Sequence, residues 1–201
     1  MSHGLSEASI DTPMESTFEA ISDLPQRFSA LEAEVRKLQS QSPDPNSLNL
    51  LVFDGSRDKL LAAFVIATGA AACGMTVKMF FTFWATPALR KGGQIGRKSL
   101  VEWAFGWMLP ASIHKTRLSK LDMGGLGRAL MDREMNRKRI AGFQDLIQTA
   151  ADLGVQISVC DMSMQLMGIR QEELIDYPGL GMCGVASFVD DAANANTTLF
   201  I

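Results

Sequence analysis

"LNLLVFDGSRDKLLAAFVIATGAAACGMTVKMFFTFW", residues 48–84, decides the fold. Its opening, "LNLLVFDG" (48–55), is an apolar run closed by Asp54-Gly55, the pattern of a buried strand ending in a turn. Ser56 is a suitable N-cap for a helix from Arg57 to Cys73, and Gly74 closes that helix. "TVKMFFTFW" (76–84) is rich in β-branched and aromatic residues and reads as a second strand. Strand, helix and strand in succession imply a mostly parallel sheet with helices on its faces.

The same stretch holds 18 uncharged residues between Lys59 and Lys78, the lower limit for a membrane-spanning helix. Gly74 interrupts the run and strand-forming residues follow it. A buried helix leading into a buried strand is therefore expected, not a span.

The alternation continues downstream. A helix is expected around Phe143–Leu153, ended by Gly154. "VQISVCDM" (155–162) reads as a third strand. A short helix from Met164 to Met167 follows, with "RQEELI" as its possible extension, and "GLGMCGVASFV" (179–189) reads as a last strand. The expected fold class is α/β: three layers, α/β/α, around a mostly parallel sheet of four to five strands. A helical insertion at about 86–141 interrupts it after the second strand.

Upstream, residues 1–13 are polar and expected to be disordered, and residues 14–41 read as helix. Leu24, Phe28, Leu31, Val35 and Leu38 are spaced 4, 3, 4, 3, a heptad seam. Pro25 suits the first turn of a helix better than its interior. The seam could pack on its own domain or on a copy of itself; "SQSPDPNS" (40–47) reads as a linker, which favours the copy. The expected division is 1–47 (tail, heptad helix, linker) and 48–201 (α/β domain).

Charge is distributed unevenly. The chain carries a net −3, yet residues 90–139 hold 12 Lys+Arg against 4 Asp+Glu, a net +8 that leaves −11 for the rest. With a pI near 5.4, nothing global points to nucleic acid. The basic segment also carries Trp103 and Trp107 and the Gly-rich "MGGLGRALM" (123–131). That glycine run does not follow a strand, as a dinucleotide-binding fingerprint must.

Three cysteines with no CxxC pair and no Cys/His spacing argue against a disulfide framework and against a metal site. Free thiols fit a reducing, cytoplasmic setting, and no basic region followed by an apolar stretch announces a secretory signal. No cofactor is expected.

Cys160 is the candidate working group. It lies near the carboxyl end of the third strand, where open parallel sheets bind ligands. A helix is expected to start just beyond it, capped by Asp161 or Ser163, and amides at a helix start favour a thiolate. The plain alternative is a packed strand cysteine. Cys183, in "GMCGV", sits near the start of its expected strand and could serve as a resolving thiol only if a loop brings it to Cys160. Asp54 and Gly55 end the first strand at the same sheet edge, with turn chemistry and helix capping as the plain role of Asp54. Trp84, like Trp103 and Trp107, could line a pocket or the membrane side of the insert, with core packing as the plain alternative. Cys73 reads as packing in the last turn of its helix. A Cys160–His114 pair would require a fold-back that nothing in the sequence indicates.

Taken together, "SRDKLLAAFVIATGAAACGMTVKMFFTFWATPAL", "LSKLDMGGLGRALM", "GVQISVCDMSMQLMGIRQEELID" and "GVASFVDDA" resemble the DsrE/DsrF-like sulfur-relay family. The resemblance is narrower to its branch with a long insertion after the second strand, and it covers roughly residues 48–192. It implies a three-layer α/β/α fold and an oligomer. It also implies a cysteine that takes up sulfane sulfur as a persulfide and passes it to a partner thiol; the matching cysteine is Cys160. Members of that branch often carry a peroxiredoxin label, but this chain lacks the Pro/Thr/Cys arrangement of such enzymes. The expected partner is an acidic sulfur-carrier protein or an anionic sulfur donor, drawn by the basic segment. The alternative is a non-catalytic scaffold or peripheral membrane protein that binds acidic lipid through residues 90–139.

Overall fold

The structure, a computed structural model, describes residues 13–92, 109–110 and 112–201. The chain forms two compact units, residues 1–42 and 43–201.

Among its described residues the first unit has the helix α1 (Pro13–Gln41), with Pro25 inside it and not in its first turn. Residues 1–12, read as part of a disordered tail, lie outside the described residues. The described seam residues of α1 are exposed.

The second unit is built on a five-stranded, all-parallel sheet in the order β4-β3-β2-β1-β5. Its strands are β1 (Asp44–Val52), β2 (Thr76–Phe81), β3 (Gln156–Cys160), β4 (Gly181–Cys183) and β5 (Ala195–Phe200). The crossovers carry α2 (Arg57–Ala72), α3 (Leu126–Arg137), α4 (Phe143–Asp152), α5 (Asp161–Met167) and α6 (Val185–Asn194). The architecture is the α/β one expected.

Alternation along the strands sends side chains to opposite faces. Leu50, Val52, Val77, Met79, Phe81, Ile157 and Val159 point to one side and are almost fully buried against Leu60, Phe64 and Ala67 of α2 and Phe143, Leu146 and Ala150 of α4. Each such side chain contributes roughly 1.5–3 kcal/mol by leaving water. The opposite face is covered more thinly: Phe80, Cys160 and Phe188 form a small cluster with Leu51, Cys183 and Ala192 packed on it. There the Phe80 and Phe188 rings stack at 5.2 Å between centroids. Helices therefore lie on both faces, and Cys160 is on the lightly covered one.

Several boundaries differ from the sequence reading. β1 reaches back to Asp44, so the segment read as linker (40–47) is divided between the end of α1 and the start of β1. β2 stops at Phe81 because Phe83 turns the backbone to φ 43, and residues Phe83–Leu89 form a 3-10 helix containing Trp84. α5 ends at Gly168, whose left-handed conformation stops it, so "RQEELI" does not extend it. The stretch 179–189 is mostly not strand. Only Gly181–Cys183 pairs, and Val185, Phe188, Val189 and Ala192 fall at helical spacing on α6, with Phe188 buried. β5 then supplies the strand beside β1. Cys73 is the C-cap of α2 and is exposed, not packed.

In the insertion, the described residues show 3-10 turns at Ile113–Lys115 and Met123–Gly125 and the helix α3. Arg57 fastens α3 to the domain: its guanidinium donates to Asp132 and lies 5.0 Å from the centre of the Phe143 ring. Arg90 and Glu173, both buried, pair at 3.0 Å and fix the start of the insertion to the segment after α5. Trp103, Trp107 and most of the 97–120 segment lie outside the described residues. Among the described residues, no helix is long and apolar enough to cross a membrane.

Candidate functional site

Parallel pairing lines up the carboxyl ends of the strands. β3 and β4 are in register at Cys160↔Cys183, so the two cysteines are neighbours across the ladder and project from the same face. Cys183 thus ends its strand; it does not begin it. On the other side, Phe81 pairs with Val159, which places Thr82 next to Cys160. The edge reads Cys183, Cys160, Thr82 in spatial order.

β3 ends at Cys160 because the chain turns there directly into α5. Cys160 is itself the N-cap residue, with extended dihedrals of φ −70° and ψ 117°. Neither Asp161 nor Ser163 caps the helix: Asp161 is its first residue, and Ser163 is fully buried within its first turn. Ser163 instead joins two strand ends. Its Oγ accepts the Phe83 N–H at 2.9 Å and lies 3.0 Å from the Thr82 hydroxyl.

The thiol of Cys160 is buried, 3% exposed. Burial alone pushes its pKa up. Four donors oppose that and prevail: the Ser163 hydroxyl, the Ser163 amide, the Thr82 hydroxyl and the Met162 amide hold the thiol below its ordinary value. Donors that lower the pKa of a thiol favour its thiolate, the nucleophilic form. Met162, Met164 and Met167 follow on α5; Met164 and Met167 join the main core, while Met162 is exposed.

A test of this electrostatic arrangement is the pH profile of Cys160 alkylation by iodoacetamide. The midpoint should fall below the ~8.5 of a free cysteine. Ser163→Ala should raise it, and Ser163→Thr should restore it. The sign also holds for stability: a depressed thiol pKa contributes stability above the unfolded-state value and loses it as pH falls through the folded value. Equal midpoints in the wild type and Ser163→Ala would remove Ser163 from this role.

Asp54, Gly55 and Trp84 gather in a different place. They line a cleft of about 640 Å³ over the β1 and β2 ends, together with Ser56, Lys115 and Arg117. Asp54 Oδ1 accepts the Ser56 N–H at 2.8 Å, which shapes the turn after β1. Gly55 is forced by contact, since a Cβ there would sit 2.1 Å from the Trp84 carbonyl oxygen. Of the described residues, Cys160 is not part of that cleft. The chain between Thr82 and Trp84 links the two places. His114 is exposed on the Ile113–Lys115 turn.

The sequence alone does not single out Thr82 or the Phe83 amide. The available signal was one hydroxyl residue within "FFTFW", at the predicted end of a buried strand.

Residues 44–200 match the DsrE/DsrF/DrsH-like family. The protein YrkE of Bacillus subtilis (strain 168) is 37% identical over 153 residues, covering 76% of this chain and 94% of that protein. The sulfur carrier protein DsrE2 of Allochromatium vinosum is 27% identical over 162 residues, covering 79% of this chain and 99% of that protein. Among solved structures, the ychN protein of E. coli aligns over 77% of this chain and 99% of its own, with 12% identity and a TM-score of 0.46.

Proposed function

The chain belongs to the DsrE/DsrF/DrsH-like family, and on that premise we propose that it traffics sulfur, with Cys160 as the carrier. The sulfur-carrier name of one relative supports a sulfur-relay role at the level of the family. The observation that carries the reading to a residue is the set of four donors around the Cys160 thiol.

The chemistry is two exchanges. The Cys160 thiolate attacks the outer sulfur of a sulfane donor; the S–S bond of the donor breaks, and its residue leaves as a thiolate or comparable anion. The new Cys160 persulfide keeps the transferred sulfur outermost. An acceptor thiolate then attacks that outer sulfur, and Cys160 leaves as the thiolate its neighbours stabilise. Thr82, Ser163 and the Met162 amide hold the negative charge at both ends of this cycle. Lys115 and Arg117, at the neighbouring cleft, suit an anionic donor or an acidic carrier protein. Cyanolysis tests the reading: after incubation with polysulfide and desalting, the protein should release one equivalent of thiocyanate per chain. Release at background would reject it.

Cys183 has a distinct expected role as a resolving thiol. Its thiolate would attack the inner sulfur of the Cys160 persulfide, forming a Cys160–Cys183 disulfide and expelling hydrosulfide. No external oxidant is required, because the persulfide sulfur is the electron acceptor. Register pairing of adjacent parallel strands supports the approach. A Cys183→Ser chain should load normally and lose its sulfur more slowly, with no release of sulfide to methylene-blue assay. Unchanged sulfide release from Cys183→Ser would remove this role.

A further inference from the structure

We propose that α1 is a homotypic interface, a parallel two-stranded coiled coil formed with the α1 of a second copy of this chain. It is independent of the sulfur chemistry. The matched family region begins at residue 44, so α1 precedes it.

The sequence assigns the heptad. Ile21, Phe28 and Val35 take the a positions, and Leu24, Leu31 and Leu38 take the d positions. All six lie on one 29-residue helix, and each is 43–63% exposed. A helix with an uncovered apolar stripe of this length gains its stability from packing, not from propensity. Period 3.5 is the spacing that lets two helices keep one seam in contact.

Residue types choose the number and direction of strands. β-Branched residues at two of three a positions, with leucine at all three d positions, favour two parallel strands. The flanks agree. Arg27 falls at g and Glu32 at the following e, so in a parallel pair each Arg27 meets the Glu32 of the other helix. Symmetry makes that contact twice per dimer. Glu34 at g meets the neutral Gln39 at e, so no like charges oppose each other. Pro25 falls at e, off the a/d seam. The occupant is therefore a second α1, because the seam complements itself in both shape class and charge.

The experiment uses the full chain. One cysteine at a time is added in a Cys73→Ser/Cys183→Ser background, which leaves buried Cys160 as the one native thiol: Leu38→Cys on the seam near one end, and Ala33→Cys on the outer face. Mild oxidation should convert Leu38→Cys to a covalent dimer at least ten times faster than Ala33→Cys. An antiparallel pair would carry the two Leu38→Cys thiols to opposite ends and give no such preference, which overturns the proposal. Charge exchange gives the second arm. Arg27→Glu and Glu32→Arg should each weaken the covalent-dimer yield alone, and mixing the two chains should restore it as a heterodimer. Equal crosslinking at the two positions, or a yield indifferent to the charge changes, overturns it as well.

Discussion

A Cys160→Ser chain should take up no sulfur from polysulfide, its thiocyanate yield falling from one equivalent per chain to background, while Cys73→Ser loads like the wild type. The argument is chemical before it is structural. A serine hydroxyl in this niche remains protonated at neutral pH, so the group that attacks the donor is lost. The replacement should leave the fold in place. Cys160 belongs to the small Phe80–Phe188 cluster and not to the main core. A buried hydroxyl without partners would cost about 1–3 kcal/mol, but the Ser163 and Thr82 hydroxyls beside the position supply partners. Thermal unfolding should therefore change little while loading disappears. Sulfur uptake by Cys160→Ser would move the carrier to another thiol. Cys73 is the control because it is exposed at the end of α2, away from the strand ends.

Gly55→Ala should damage both stability and site. Its Cβ would stand 2.1 Å from the Trp84 carbonyl oxygen and 2.9 Å from the carbonyl carbon. Both are backbone atoms, so no rotamer change relieves the clash, and the Phe83–Leu89 turn must move. Overpacking of this kind costs roughly 1–3 kcal/mol. For a chain of this size, each kcal/mol lowers the melting temperature by about 2–4 °C. The displaced turn begins at Phe83, whose amide donates to Ser163 at 2.9 Å and whose φ of 43° is already an uncommon one for phenylalanine. Shifting it loosens Ser163 and should raise the alkylation midpoint of Cys160. Gly69→Ala is the internal comparison. It lies within α2 with nothing within 4 Å of its added Cβ, and it should stabilise by about 0.4–1 kcal/mol. A Gly55→Ala melting temperature equal to that of the wild type would show that the turn yields without cost.

Particular residues show which parts of this structure the sequence displays and which it hides. The β1–α2–β2 unit is legible because burial on both faces writes continuous apolar strands, and because Gly74 ends the helix between them. The place of Cys160 at a sheet edge follows from the same pattern. β5 is hidden: "ANTTLF" is short and half polar, an edge strand that pairs on one side and has no buried residue, so no apolar run marks it. α6 is misread because its one buried side chain is Phe188, and ten residues with alanines and valines suit either strand or helix until a partner is known. The neighbourhood of Cys160 and Cys183 is invisible along the chain, since it depends on strand order and register between segments 23 residues apart. Thr82 is likewise a product of register: it matters because Phe81 lies opposite Val159. The N-cap position of Cys160 depends on β3 stopping at residue 160, two residues earlier than its composition suggests.

The most direct test of the central claim is residue-resolved mass spectrometry of the wild-type chain after sulfur loading, with free thiols and persulfides trapped by alkylation before digestion. The account predicts one additional sulfur on the peptide containing Cys160 and none on those containing Cys73 or Cys183. An added sulfur found on Cys73 or Cys183 and absent from Cys160, or on no cysteine after exposure to polysulfide, would contradict it.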